Sequence, residues 1–214
     1  MCGRFALFLS VDDVQVAFDL GDVVVSWTPK YNVAPGQQVL AVTEEKPRSA
    51  VELKWGINIH SEREKKDIQL INVRSETILE KGHFRRPRYN LCLILANGFY
   101  EWRRNASKQP FFFHLKDNEP FAFAGLWTVE KHAEDEVGAC AIVTCQVNSL
   151  VEPVHSRMPV MLERHIAKDW LKAQTPADFK KFLLPYPTEG MNSHPVGKMV
   201  NKPAYDTPDC ITVI

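Results

Sequence analysis

Along the chain, short apolar runs alternate with polar breaks and dominate the pattern. Eight read as strands: Arg4 to Leu9, Gln38 to Thr43, Val51 to Ile57, Leu91 to Ala96, Pro110 to Leu115, Phe121 to Trp127, Ala139 to Cys145 and Pro159 to Leu162. Helical spacing is clearest at Val11 to Leu20, where Ser10 can cap and Val14 and Phe18 share a face. Two late segments, Glu163 to Ala173 and Pro176 to Leu184, have the same period, with Thr175 before Pro176 as an N-cap. Turns are expected at Ala34-Pro35-Gly36, at Asn97-Gly98 and at Asp117 to Glu119. The polar stretch from His60 to Asp67 and the Pro-rich tail from Pro185 onward read as exposed mobile segments. The pattern predicts one α+β domain over residues 1–214. Its strands form a curved sheet or barrel-like core, with flanking helices and a cleft.

With 45% hydrophobic and 24% charged residues, disorder and collagen are excluded. Five cysteines, odd in number and without a CxxC pair, argue against a disulfide framework and a structural zinc site, and a reducing cytoplasm fits best. No apolar run approaches the ~20 residues of a membrane span, and MCGRFALFLS lacks the features of a signal peptide. No metal or other cofactor is expected. The 26 Lys+Arg balance the 26 Asp+Glu, yet residues 81 to 104 hold Lys81, Arg85, Arg86, Arg88, Arg103 and Arg104 against Glu101 alone. That segregation restores nucleic acid as a partner, through a local site with few phosphate contacts.

Cys2 stands directly behind the initiator. Once Met1 is removed, it carries an amine and a thiol on adjacent carbons. The amine can capture an aldehyde as a Schiff base and the thiol can close it to a thiazolidine; alternatively, the thiol attacks an acyl carbon. The competing reading is an inert cysteine in a first strand. Glu101 follows an apolar run, where a carboxyl acquires a raised pKa suited to acid/base work; the alternative is a surface pair with Arg103 or Arg104. His155 sits in a Pro-bounded turn beside Arg157, where it can protonate a leaving group or bind phosphate, or make a single turn hydrogen bond. Asn72 and Arg74 follow Ile68 to Ile71 and can point from a strand end into a cleft, or Asn72 can be an ordinary cap.

The segments MCGRF, YNVAPGQQV, WG at 55–56, INVRSET, LCLILANGFYEW, QPFFF, FAFAGLW, AIVTCQVN and VHSRMPVML, with HPV at 194–196, occur in this order over nearly the whole chain. In this the chain resembles the SRAP family, the SOS-response-associated peptidases or abasic-site-processing proteins. The resemblance implies removal of Met1, with self-processing at Met1-Cys2, and crosslinking of Cys2 to an abasic site in single-stranded DNA. It further implies Glu101 as acid/base and Asn72 as holder of the N-terminus or sugar. His155 would contact the 3′ phosphate and assist its departure when the Schiff base proceeds to β-elimination.

For the DNA, Arg4, Arg74 and Arg157 flank these residues and can reach phosphates, Pro35 and Gly36 can pack against the backbone, and Trp102 can stack on a base. Trp55 reads as core. The chain departs from its relatives between the WG and IN motifs, where a charged stretch replaces a tryptophan-containing one; Arg63, Lys65 and Lys66 offer charge there. Two rivals from other classes are an N-terminal nucleophile amidohydrolase, or more broadly a thiol peptidase, and a non-covalent single-stranded DNA binder. No membrane association and no obligate protein partner are implied.

Overall fold

The computed structural model describes residues 2–23, 26–61, 65–80, 90–132 and 135–214. Strand β1 (Phe5–Leu7) leads into helix α1 (Val11–Phe18). The Ser10 hydroxyl accepts the Asp13 N–H at 3.2 Å, and Val14 and Phe18 turn inward. The helix stops short of Leu20 because Asp19 adopts the left-handed conformation at φ 49°.

Strands β2 (Asp22–Val23), β3 (Lys30–Val33), β4 (Gln38–Thr43) and β5 (Lys46–Trp55) follow, then β6 (Ile57–Ser61), β7 (Lys66–Leu70), β8 (Asn72–Arg74) and α2 (Ser75–Glu80). The second half holds β9 (Asn90–Ala96), β10 (Gly98–Trp102), β11 (Pro110–Leu115), β12 (Phe121–His132), β13 (Asp135–Gln146), β14 (Arg157–Pro159) and β15 (Met161–Leu162). It ends with α3 (Arg164–Trp170), α4 (Pro176–Phe182) and β16 (Met191–Pro195). Thr175 and Asp178 form a reciprocal capping box at the start of α4.

Five strands close on themselves. β5 pairs with β4, β4 with β9, β9 with β12 and β12 with β13, all antiparallel. β13 then returns to β5 in a short parallel contact, with Ala139 opposite Lys54 and Cys140 opposite Trp55. The barrel-like core expected from the alternating runs is therefore present, and closure removes the unpaired edges that an open sheet exposes. A second, wholly antiparallel sheet runs β16-β11-β10-β1-β3.

Asn97 makes the passage between the two sheets. Its N–H donates to Ala6 O at 2.8 Å and its Oδ1 accepts the Phe8 N–H at 3.0 Å, so the predicted Asn97-Gly98 turn is a crossing from β9 to β10. Gly98 is required there, since a Cβ would lie 2.3 Å from the Phe112 ring. Aromatic rings fill the space between the sheets: Phe5 packs on Trp55 and Phe123 with ring centroids 5.1 and 5.5 Å away, and all three are fully buried. Truncating any one to alanine is expected to cost ~3–5 kcal/mol.

Two expectations of mobility are corrected. Within His60 to Asp67 the described residues belong to a hairpin, β6 with β7, where Ile57 faces Leu70 and Ile59 faces Ile68. The period-two apolar pattern is there, diluted by charges; Arg63 lies outside the described residues. The tail beyond Pro185 is anchored as well. β16 pairs along β11, Val196, Val200 and Cys210 are buried, and the Asn32 side-chain amide donates to the carbonyls of Val200, Lys202 and Tyr205. Among the described residues no helix is long and apolar enough to cross a membrane.

Candidate active site

Cys2 lies just ahead of β1 and is completely enclosed. The β1–β10 ladder extends past Phe5, because the Tyr100 N–H donates to Arg4 O at 2.9 Å, and this brings the start of the chain alongside Glu101. From the barrel side, β8 runs parallel to β13 with Asn72 opposite Ile142. There the Asn72 side-chain amide donates to the Cys2 carbonyl at 2.9 Å. The Cys2 thiol makes a long contact, 3.8 Å, with Arg4 O. Burial, and secondarily the Glu101 carboxylate, push the thiol far above its usual range, so it is held as a thiol.

Glu101 is buried on β10, and desolvation raises its pKa. His155 faces it, with Nδ1 3.9 Å from Glu101 Oε1. The loop joining β13 to β14 carries the histidine, and Asn148 fixes that loop: its Oδ1 accepts the Val151 N–H at 3.0 Å, while Val151 O takes the His155 N–H at 2.9 Å. Burial leads the depression of the His155 pKa to about 4, followed by the positive charge of the amino terminus and then by Arg104 and Arg157, so the imidazole is neutral near pH 7. Four separate parts of the chain thus meet here: the Cys2 thiol, the Asn72 carboxamide on the Cys2 carbonyl, the Glu101 carboxyl disposed to hold a proton, and the neutral His155 imidazole facing Glu101.

The family model for SOS response associated peptidase (SRAP) matches residues 1–203. The chain belongs to the SRAP family. It is similar to abasic site processing protein YoaM of Bacillus subtilis, 38% identical over 95% of this chain and 94% of that protein. Abasic site processing protein YoqW of the same organism is 37% identical over 99% of both. A crystal structure of a Bacteroides thetaiotaomicron protein superposes with a TM-score of 0.84 at 22% identity over all of both chains, which supports the fold.

Around this cluster the other expected residues of the SRAP chain differ in how they are held. Arg74 is exposed at the end of β8. Arg157 is engaged internally: its two terminal nitrogens each lie 2.9 Å from a Glu76 carboxylate oxygen on α2, and Nη2 also donates to Thr144 O at 2.7 Å. Arg4 donates to Asn32 Oδ1 and Val200 O, both at 2.7 Å, and so pins the tail against β1. Trp102 is partly buried and donates to Asn201 Oδ1 at 2.7 Å. Gly36 is exposed in the β3–β4 turn at φ 88°, with its N–H on Trp55 O, and Pro35 is half-buried beside it. Trp55 is core, as expected, and donates to Ile71 O at 3.0 Å.

Lys81, Arg85, Arg86 and Arg88 lie outside the described residues, as does Met1. Arg103 stacks over the Phe111 ring at 4.8 Å. Arg104 is the residue that sequence reasoning undervalued: its Nη2 lies 2.6 Å from His155 Nε2, not in a pair with Glu101. Glu76 and Asn148 were also passed over. An Asn three residues before an apolar loop residue is a turn signal that finds Asn148, whereas the Glu76–Arg157 pair spans 81 residues and leaves no local trace. A cavity of about 390 Å³ lies elsewhere, between Leu115, Pro120, Glu163, Arg164 and Tyr186. Its polar groups answer one another, Tyr186 donating to Glu163 at 2.6 Å and Arg164 pairing with Glu119.

Proposed function

We propose that this protein captures abasic sites in single-stranded DNA, forming a covalent thiazolidine through Cys2 after Met1 is removed. Family membership and the names of the relatives support the lesion; the placement of buried Cys2 against Asn72 and beside Glu101, with His155 facing Glu101, is the observation that carries the chemistry. The abasic sugar opens to an aldehyde. The Cys2 amine adds to it and loses water to give the Schiff base; Asn72 Oδ1, buried with no hydrogen-bond partner among the described residues, is an acceptor suited to that amine. The thiol then adds across the C=N bond, sulfur binding carbon while its proton passes to nitrogen. A thiol kept protonated by burial suits this order, with amine attack first.

Glu101, with a raised pKa, supplies the proton for ring opening and water loss. His155 faces the 3′ phosphate and assists its departure when the Schiff base eliminates, so strand scission is the side path of the same intermediate. Removal of Met1 is self-processing at the Met1-Cys2 bond.

Intact-mass measurement of the full chain, before and after incubation with an abasic single-stranded oligonucleotide, tests the reading. The expected result is loss of Met1 and a Cys2-dependent adduct equal to protein plus DNA less one water. A chain that keeps Met1, or an adduct that survives Cys2→Ala without reductant, overturns it. Ammonia release from glutamine without any adduct would instead assign an N-terminal nucleophile amidohydrolase.

A further inference from the structure

We propose that Arg104 is a positioning residue for His155, holding Nε2 as a hydrogen-bond acceptor until a DNA phosphate draws the guanidinium away. The inference rests on the single-stranded DNA reading above. Arginine carries only donors, so at 2.6 Å the imidazole Nε2 must accept. The ring proton is then on Nδ1, which donates to Arg157 O at 3.1 Å. The Arg157 N–H also points at Nδ1 from 3.1 Å, a donor suited to the opposite tautomer with the proton on Nε2; the shorter Arg104 contact at 2.6 Å selects the Nδ1–H form. An imidazolium would set an Nε2–H against an Arg104 N–H, so the contact itself opposes protonation.

The other charged groups described around the ring do not replace Arg104 in this role. Glu101 approaches Nδ1, not Nε2, at 3.9 Å. The Arg157 guanidinium is turned onto Glu76. Arg104 itself is exposed, so an incoming phosphate can reach it. A phosphate oxygen is a far stronger acceptor for guanidinium than a neutral ring nitrogen, because both partners are charged and the fork geometry matches. When the guanidinium moves to the phosphate, Nε2 is released, takes a proton from solvent and becomes a donor toward that same phosphate. Anion binding is thereby coupled to the uptake of one proton at His155, at the position where a departing phosphate needs it.

Imidazole NMR titration of the full chain tests this, with two variants and one probe. Arg104→Gln supplies a carbonyl that can accept from Nε2–H, so the His155 midpoint is expected to rise by about one pH unit. Arg104→Lys keeps a donor-only cation and should stay close to wild type. The probe is a single-stranded oligonucleotide carrying a tetrahydrofuran abasic analogue, which has no aldehyde. It should raise the midpoint in both proteins and by more in wild type, because Arg104→Gln feels the attraction of the phosphate but has no guanidinium to lose from Nε2. Equal midpoints in wild type and Arg104→Gln, with unchanged thermal unfolding, overturn the proposal. An oligonucleotide that binds and leaves His155 unmoved overturns the Arg104 proposal alone; one that does not bind overturns the DNA reading.

Discussion

The Asn72 carboxamide and the Cys2 carbonyl meet at 2.9 Å across 70 residues of chain, inside the protein. This bond ties the first residues to the barrel, since Asn72 sits in the β8–β13 ladder. Asn72→Ala leaves a buried carbonyl without its donor and is expected to lower stability by ~1–3 kcal/mol. Adduct formation should slow by about tenfold or more, because a small misplacement of a reacting group is costly. Chemical unfolding and single-turnover crosslinking measure the two effects separately.

Glu101→Gln is expected to move stability and reactivity in opposite directions. The Glu101 pKa is raised in the fold, so the folded state holds its proton more tightly than the unfolded chain does. Stability is accordingly lost as pH climbs from the ordinary carboxylate range through the raised value. A neutral glutamine removes that loss, and the variant should be the more stable of the two at pH 8. Its crosslinking should be slower by roughly 10²-fold, the scale of one general acid/base group. A variant both less stable and equally fast would contradict the role given to the carboxyl.

His155 has the opposite sign. Its pKa falls from the ordinary 6.5 to about 4 in the fold. Between those values the unfolded chain binds a proton that the folded one refuses, so the stability it contributes is complete above about 6.5 and is lost as pH drops toward 4. His155→Gln should flatten the stability profile in that window by up to ~1.4 kcal/mol per pH unit. Urea unfolding at several pH values reads this directly.

Glu76 neutralises Arg157 through two bonds of 2.9 Å, and the guanidinium beside it holds the Glu76 pKa down to about 2. Glu76→Ala should release that charge to DNA. Single-stranded DNA affinity is expected to rise at low salt, and the slope of log affinity against log salt to steepen by about 0.7, one phosphate contact. An unchanged slope in fluorescence anisotropy would mean that Arg157 serves the fold and not the nucleic acid.

Local period and contact distance divide what was legible in the sequence. The strands of the closed ring and helices α1, α3 and α4 were readable from apolar alternation and caps, because Ser10 and Thr175 act within their own segments. The β6–β7 hairpin and β16 were not: charges dilute the alternation of Ile57, Ile59, Ile68 and Leu70, and the tail is held by Asn32 from 168 to 173 residues away. Within the site, the motif residues Cys2, Asn72, Glu101 and His155 were named from type and setting, and the structure brings them together. Arg104 and Glu76 were missed because each matters through a partner on a distant strand or loop, which no window of sequence contains.

The closed ring also sets a clock on reactivity. β5 is sealed by β13, a strand that begins at residue 135, and the ring is incomplete until that contact forms. Non-local pairing of this kind is slow, since loop closure must precede the contacts that reward it. The surroundings of Cys2 are assembled from residues 72 and 101, with 155 facing 101, so a nascent chain presents its cysteine long before the carboxamide, carboxyl and imidazole are in place. If Cys2 reacts as proposed, folding is the step that arms the amino terminus, and late mutations in β13 or the Asn148 loop should silence the chemistry of the second residue of the chain.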